Sequence, residues 1–174
     1  MRNLPRKISG ATDLYNRSIN ALARRAYSVH EMKVYLERRA EDKEVAAGIL
    51  SILKDRKLLD DARYARQFVR LRAEIRKQGS FRIARDLRAR GVPDRHIEAA
   101  LADRASEADE SEIVRAKLTR RMKLLKGPLD ERRTASIYRS LLRAGFSSET
   151  IRREMRAIAK VSVDAPEIPA EDAR

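Results

Sequence analysis

Apolar residues along the chain follow one pattern three times: a helical stripe ends at a break, and a second stripe begins just after it. The leucine four residues before each break is Leu36, Leu87 or Leu141, so the repeats lie 51 and 54 residues apart. Repetition at a nearly constant period indicates one structural unit that is used several times. The stripes after the breaks contain Val45, Ile49 and Ile52, then Ile97 and Leu101, then Ile151, Met155 and Ile158.

Capping residues predict where several helices begin. Ser28 is followed three residues later by Glu31, which forms a capping box at the start of a helix with Val29, Met32 and Leu36 on one face. In the second repeat, Asp60 or Asp61 can cap a long helix. The apolar stripe of that helix is predicted at Tyr64, Phe68, Leu71 and Ile75.

These signals predict an all-α fold, built as a tandem array of three units of three helices each, similar to helix-turn-helix modules. The alternation of apolar and polar residues that is typical of strands is absent from the sequence. We expect the units at residues 14–58, 59–105 and 106–160. A flexible N-terminal arm at 1–13 precedes them, and a disordered acidic tail at 161–174 follows.

Positive charge is spread over all three units. The chain has 40 Lys and Arg against 26 Asp and Glu, a formal net charge of +14. Residues 1–57, 58–107 and 108–160 carry +6, +4 and +7, whereas residues 161–174 carry −3. This distribution favours a polyanion or an acidic protein surface as partner, and a solvated surface that keeps the protein soluble is the alternative.

Several classes of function are disfavoured by what the sequence lacks. Without cysteine there are no disulfides, no thiolate catalysis and no cysteine-based zinc sites. The sequence has no apolar run long enough to span a membrane and no signal peptide, so a cytoplasmic location without membrane partners is expected.

No catalytic group or cofactor site is predicted either. His30 and His96 lie on different units without metal-like spacing, and we find no phosphate loop, nucleophile elbow or paired-carboxylate motif. The adjacent Asp60 and Asp61 are better explained by helix capping than by acid–base chemistry. We therefore expect no enzyme activity, no metal and no cofactor.

Basic residues gather on the helix faces opposite the apolar stripes. On the long helix of the second unit, Arg63, Arg66, Arg70 and Lys77 fall within about 60° of one another at 100° per residue. Because arginine binds phosphate and carboxylate groups in bidentate fashion, these faces are candidate contact surfaces. The further candidates are Arg82, Arg85 and Arg88 on the next helix, then Arg115, Lys123 and Lys126 in the third unit.

Three segments resemble the RecX family of recombinase regulators. They are YSVHEMKVYL at 27–36, LLDDARYARQFVR at 58–70 and GSFRIARDLRARGV at 79–92, and the resemblance extends over about residues 18–160. Departures from the family pattern are Lys57 in place of a glycine before the paired leucines, Met32 in place of a leucine, and Ala40 in place of the first break glycine.

The resemblance implies an elongated and curved, modular all-α protein of tandem three-helix units without catalysis of its own. Members of the family bind the RecA recombinase, lie in the groove of its filament on DNA, and suppress strand exchange, ATP hydrolysis and co-protease activity. The partners implied are therefore RecA and its nucleoprotein filament, with single- and double-stranded DNA contacted through phosphates. We expect a monomer that regulates homologous recombination, DNA repair and the SOS response.

A direct, sequence-nonspecific DNA-binding protein of helix-turn-helix type is the alternative. The predicted exposed faces of this chain are rich in arginine, and none of its predicted helices carries the Asn, Gln and Ser residues that a recognition helix uses for base edges. This composition favours phosphate contact over sequence readout. Salt-sensitive DNA binding fits both hypotheses, and only an assay with RecA separates them.

The acidic tail provides a first test. Deletion of residues 161–174 should leave the melting temperature nearly unchanged, because the segment holds two prolines, four acids and little to bury. Loss of its −3 charge should slightly tighten nonspecific DNA binding at low salt. A large fall in melting temperature would contradict the prediction and would show that the tail docks on the folded part.

Overall fold

The computed structural model describes residues 8–107, 109–124 and 130–163, and within these ranges the chain forms nine α-helices and no β-strand beyond one isolated bridge. The all-α prediction is confirmed. The helices are α1 Ala11–Arg24, α2 Val29–Glu37, α3 Lys43–Asp55, α4 Asp61–Arg70, α5 Ser80–Arg88, α6 Asp94–Glu107, α7 Glu110–Leu124, α8 Glu131–Arg143 and α9 Ser148–Val163.

Tertiary contacts divide the chain into two compact units. The first unit contains Met1–Arg76 and Ile83–Glu107, and the second contains Lys77–Arg82 and Ala108–Arg174. Three hydrophobic cores are buried, one within each successive triplet of helices. Leu59, expected to open the second unit, is buried in the first core. That each triplet forms a folding unit of its own stays a prediction.

The predicted helix caps are present. The Oγ of Ser28 accepts a hydrogen bond from the backbone N–H of Glu31, whose carboxylate accepts one from the N–H of Ser28. Asp60 caps α4 by accepting the N–H of Arg63 at 2.9 Å. This hydrogen bond is the main reason why the pKa of Asp60 is lowered.

Two predicted boundaries at the ends of the array are corrected. Helix α1 begins at Ala11, and Ile8 already packs on the first core and pairs with Ala40 in an isolated bridge, so the arm does not extend to residue 13. At the other end α9 continues to Val163. The remaining tail, residues 164–174, lies outside the described residues.

The predicted stripe of the long helix is wrong in its second half. Tyr64 is buried, but Leu71 and Ile75 are 50% and 70% exposed. The helix changes to a π-helical segment over Leu71–Ile75, where Arg76 donates to the carbonyl of Leu71 five residues earlier. Val69, just before this segment, and Ala73, within it, face the core instead.

The leucines of the repeat are buried and define the helix ends that follow them. After Leu87 and Leu141, the N–H of the fifth following residue donates to the leucine carbonyl, and the intervening Gly91 and Gly145 have φ values of +70° and +94°. These are Schellman turns, which glycine favours because it enters the left-handed region without strain. After Leu36 the turn differs, since the glycine is replaced by Ala40, which has no positive φ.

The carbonyl three residues after each leucine accepts a hydrogen bond from an upstream segment. The carbonyl of Arg90 accepts from the Oγ of Ser28 at 2.6 Å in the first unit. That of Ala144 accepts from the N–H of Gly79 at 2.9 Å in the second unit. The carbonyl of Arg39 accepts from the N–H of Ile8 at 2.7 Å. In the first triplet, the N-terminal segment therefore supplies the donor that the residue just before a helix supplies in the other two.

At the two helix starts that donate to these carbonyls, an acidic side chain accepts one further backbone N–H. Asp61 accepts the N–H of Val29 at 2.9 Å, and Glu110 accepts the N–H of Ser80 at 2.6 Å. Both N–H groups belong to the first residue of a helix, where no intrahelical partner exists and where the helix dipole favours negative charge. Each acid is itself at the first turn of another helix.

Glycine is required where these contacts are closest. A Cβ on Gly91 would overlap the His30 side chain, and one on Gly145 would overlap the backbone of Arg82. Gly48, inside α3, has open space where its Cβ would lie. The glycines of the chain therefore differ in their tolerance of a side chain.

Substitution of the turn glycines tests this packing. Gly145→Ala and Gly91→Ala should each lower the free energy of unfolding by more than about 1 kcal/mol, because left-handed backbone and steric overlap add. Gly48→Ala is the matched control and should raise stability by about 0.5–1 kcal/mol, as expected in a helix interior. Urea unfolding followed by circular dichroism measures all three, and unchanged stability of Gly145→Ala would contradict the turn geometry.

Candidate functional site

The candidate surface consists of the basic residues predicted from the sequence. Nine of the ten lie in the described part of the chain; Lys126 lies outside the described residues. Their environments differ, and these differences separate side chains that are available for a partner from those already engaged in the fold.

Helix α4 presents three exposed arginines. Arg63 donates from its guanidinium to the carbonyl of Lys57 at 3.1 Å, and Arg70 pairs with Glu74 at 3.3 Å, one turn ahead. Arg66, between them on the helix, is also exposed. Since exposed ion pairs contribute little stability, all three guanidinium groups remain accessible to a ligand.

Lys77 does not extend this arginine row as predicted. It follows the π-helical segment and adopts a φ of +49°, which ends the helical register. Lys77 is exposed and belongs to the second unit together with the start of α5. The prediction of a single face from Arg63 to Lys77 is therefore wrong, because it assumed 100° per residue throughout.

The arginines of α5 fall into two groups. Arg82 is half-buried, contacts Gly145 and donates to the carbonyl of Arg143 at 3.4 Å, so it is engaged in packing. Arg85 and Arg88 are exposed. Arg88 donates to Asp94 at 2.6 Å across the turn between α5 and α6, and Arg85 lies 4.0 Å from the neighbouring Asp86.

Arg115 of α7 holds a buried carboxylate. Its Nε donates to Glu154 at 2.8 Å, and the side chain of Glu154 is 3% exposed. The hydrogen bond to Glu154 raises the pKa of Arg115, and Arg153 lies 3.5 Å from the second carboxylate oxygen. Because a buried carboxylate needs its partners, Arg115 serves the fold of the third triplet first. Lys123, on the same helix, is exposed.

Sequence reasoning missed a cationic group on α7. Lys117, Arg120 and Arg121 line a groove between α7 and α8 that has a volume of about 330 Å³. Their spacing of three and four residues places them on one helix face, and that signal was readable in the sequence. What the sequence did not show is that α8 forms the opposite wall.

Aromatic and acidic residues add no further site. Tyr64 and Phe68 stack at 6.1 Å within the second core, which confirms their prediction as core residues. Phe81 is 66% exposed. Among residues 8–107, 109–124 and 130–163, no cluster of three His, Cys, Asp or Glu side chains could hold a metal ion. Within the same ranges, no helix is long and apolar enough to cross a membrane.

Fold and surface together define a class: an all-α protein of consecutive three-helix bundles whose exposed faces are rich in arginine. A family model described as the second three-helix domain of RecX matches residues 60–101. The regulatory protein RecX of Prosthecochloris aestuarii is 34% identical over 140 residues, which cover 80% of this chain and 89% of the relative. That of Halorhodospira halophila is 35% identical over 136 residues, covering 78% and 81%.

The chain therefore belongs to the RecX family. Solved structures agree in fold: a crystal structure of RecX from Lactobacillus salivarius superposes with a TM-score of 0.71 at 23% identity, covering 86% of this chain and 97% of that one. A second RecX crystal structure gives a TM-score of 0.70 at 24% identity, covering 84% and 71%.

The environments of the arginines predict different effects of their removal. Arg66→Ala, Arg70→Ala and Arg85→Ala should each weaken DNA binding on all sequences and reduce the salt slope by about one unit, as expected for a lost phosphate contact. Arg82→Ala should instead lower the melting temperature, because Arg82 packs against Gly145. Fluorescence anisotropy at several salt concentrations and thermal melts measure these effects; loss at one base position only would favour a base-reading helix.

Proposed function

We propose that this protein is a non-enzymatic regulator that binds RecA and its filament on DNA and inhibits recombinase, ATPase and co-protease activity. Membership of the RecX family is the observation that carries this proposal, since the curated relatives are named regulatory proteins. The match to the family's second three-helix domain supports it further. That segment, residues 60–101, includes the exposed arginines of α4 and α5.

The surface beside α4 suits a protein partner as well as DNA. Leu71 and Ile75 are exposed apolar side chains four residues apart, next to Arg70. Apolar groups that remain exposed among charged ones are typical of surfaces that bind another protein. Arginine beside them can pair with acidic side chains or with phosphates of the same nucleoprotein filament.

Repetition of weak contacts explains how such a protein inhibits without catalysis. A tandem array can engage more than one RecA protomer, and linked contacts give an avidity far above that of each single one. Neighbouring protomers held in one geometry resist the motion between their ATP states, which lowers turnover. We further propose that the protein acts as a cytoplasmic monomer.

Direct DNA binding without an effect on RecA is the alternative function. The exposed arginines favour it equally, because phosphate contact alone explains a salt-dependent and sequence-indifferent affinity. It differs from the main proposal in one observable: RecA turnover would then be unaffected on DNA that is in excess over both proteins.

A RecA assay tests the main proposal. The wild-type chain should inhibit the ATPase and strand exchange of RecA on single-stranded DNA at stoichiometric or lower ratios. Arg66→Glu combined with Arg70→Glu should abolish inhibition while helical content stays unchanged, because reversed charge repels phosphates and acidic side chains. The measurements are ATP turnover, strand-exchange yield and far-UV circular dichroism.

Arg38→Glu combined with Lys54→Glu is the matched control. Both residues are exposed in the first unit, and the pair changes the net charge by the same amount. Inhibition should persist in this variant. Normal RecA turnover and strand exchange in the presence of excess wild-type protein would overturn the proposed function.

A further inference from the structure

The groove between α7 and α8 in the second unit is a candidate binding site outside the predicted contact residues. Its cationic wall consists of Lys117, Arg120 and Arg121 of α7, and its floor includes Leu118 and Ile137. The groove has a volume of about 330 Å³. We call it the α7–α8 groove.

The three cations form one row along the groove. Positions 117, 120 and 121 differ by three and four residues, so their side chains lie on one face and cover about one helix turn, or roughly 5 Å, along the axis. A charged chain that runs along α7 can therefore meet more than one of them. A single small anion would use only part of the row.

Among the described residues that line the α7–α8 groove, none is Asp or Glu, so the row of cations has no compensating acid there. Lys117 is half-buried, and its pKa is lowered by that burial and by repulsion from Arg120 and Lys77. Like charges held together without a counter-ion destabilise the free protein, and a bound polyanion relieves that repulsion.

The three cations of the groove can only donate, and the hydroxyl group of Ser140 can donate and accept. The carbonyls of Ser140, Leu141 and Ala144 already accept backbone hydrogen bonds from residues that follow or pack on them. An extended peptide would bring N–H groups that need acceptors, whereas a DNA backbone carries only acceptors. Cationic donors beside an apolar floor therefore match a chain in which phosphates alternate with deoxyribose sugars.

We propose that the α7–α8 groove binds the sugar–phosphate backbone of a single DNA strand. The proposal deepens the DNA-binding part of the proposed function and rests on it, but it requires no contact with RecA. Lys117, Arg120 and Arg121 contact successive phosphates, and the apolar floor contacts the sugars. The groove should bind strands of any base sequence, because its cations contact phosphates and its apolar floor contacts sugars.

The test uses the full chain and a fluorescein-labelled oligodeoxyuridine without RecA. Lys117→Gln, Arg120→Gln and Arg121→Gln should each weaken binding and reduce the slope of log K against log salt by about 0.7, the value for one single-strand phosphate contact. Arg120→Lys should keep most of the slope, because the charge is retained. Anisotropy titrations at four salt concentrations give these slopes, and far-UV circular dichroism checks that each variant is folded.

Arg156→Gln is the matched control. It removes one positive charge from an exposed position of the same unit without lining the groove, so its slope should equal that of the wild type. An oligouridine of equal length is the second control. Its 2′-hydroxyl groups would lie against the apolar floor of Leu118 and Ile137, and it should bind more weakly than the deoxy form.

Three outcomes would overturn the proposal. In the first, the groove variants bind as the wild type does while Arg66→Ala and Arg85→Ala lose affinity, which leaves the proposed function intact. In the second, poly-L-glutamate binds the wild type more tightly than the oligonucleotide does at equal charge concentration and loses that affinity in the groove variants, which assigns the groove to acidic protein segments. In the third, the wild type binds no DNA at all, and then the DNA part of the proposed function fails with the groove.

Discussion

One hydrogen bond acceptor recurs through the fold: the backbone carbonyl three residues after each buried leucine of the repeat. Arg39, Arg90 and Ala144 supply these carbonyls, and Ile8, Ser28 and Gly79 supply the donors. A helix end leaves such carbonyls without intrahelical partners, so each helix end needs an external donor or water. The fold meets this need with an upstream segment, which fixes where that segment lies.

The same contact determines which residues are free for function. The start of α5 packs on the turn after α8, and Arg82 contacts that turn and donates a hydrogen bond to it. Arg85 and Arg88 lie farther along the helix and stay exposed. Glu154 similarly engages Arg115. An arginine-rich sequence therefore uses part of its charge inside the fold, whereas arginines of α4, of the second half of α5 and of the α7–α8 groove stay exposed.

The repeated fold leaves positive charge on exposed helix faces. Each triplet buries its own small core, and the faces left exposed carry long cationic side chains. Such side chains can reach several phosphates or acidic groups at once.

The sequence alone determined the repeat, the all-α class, the cap at Ser28, a cap at Asp60 or Asp61, and the burial of Leu36, Leu87 and Leu141. These features depend on residues a few positions apart, which periodicity and capping rules describe. The tertiary structure alone decided the π-helical segment after Arg70, the pairing of Ile8 with Ala40, and which arginines are engaged. Those depend on what packs against a helix from far along the chain, because burial and hydrogen-bond partners are set by distant residues and not by local spacing.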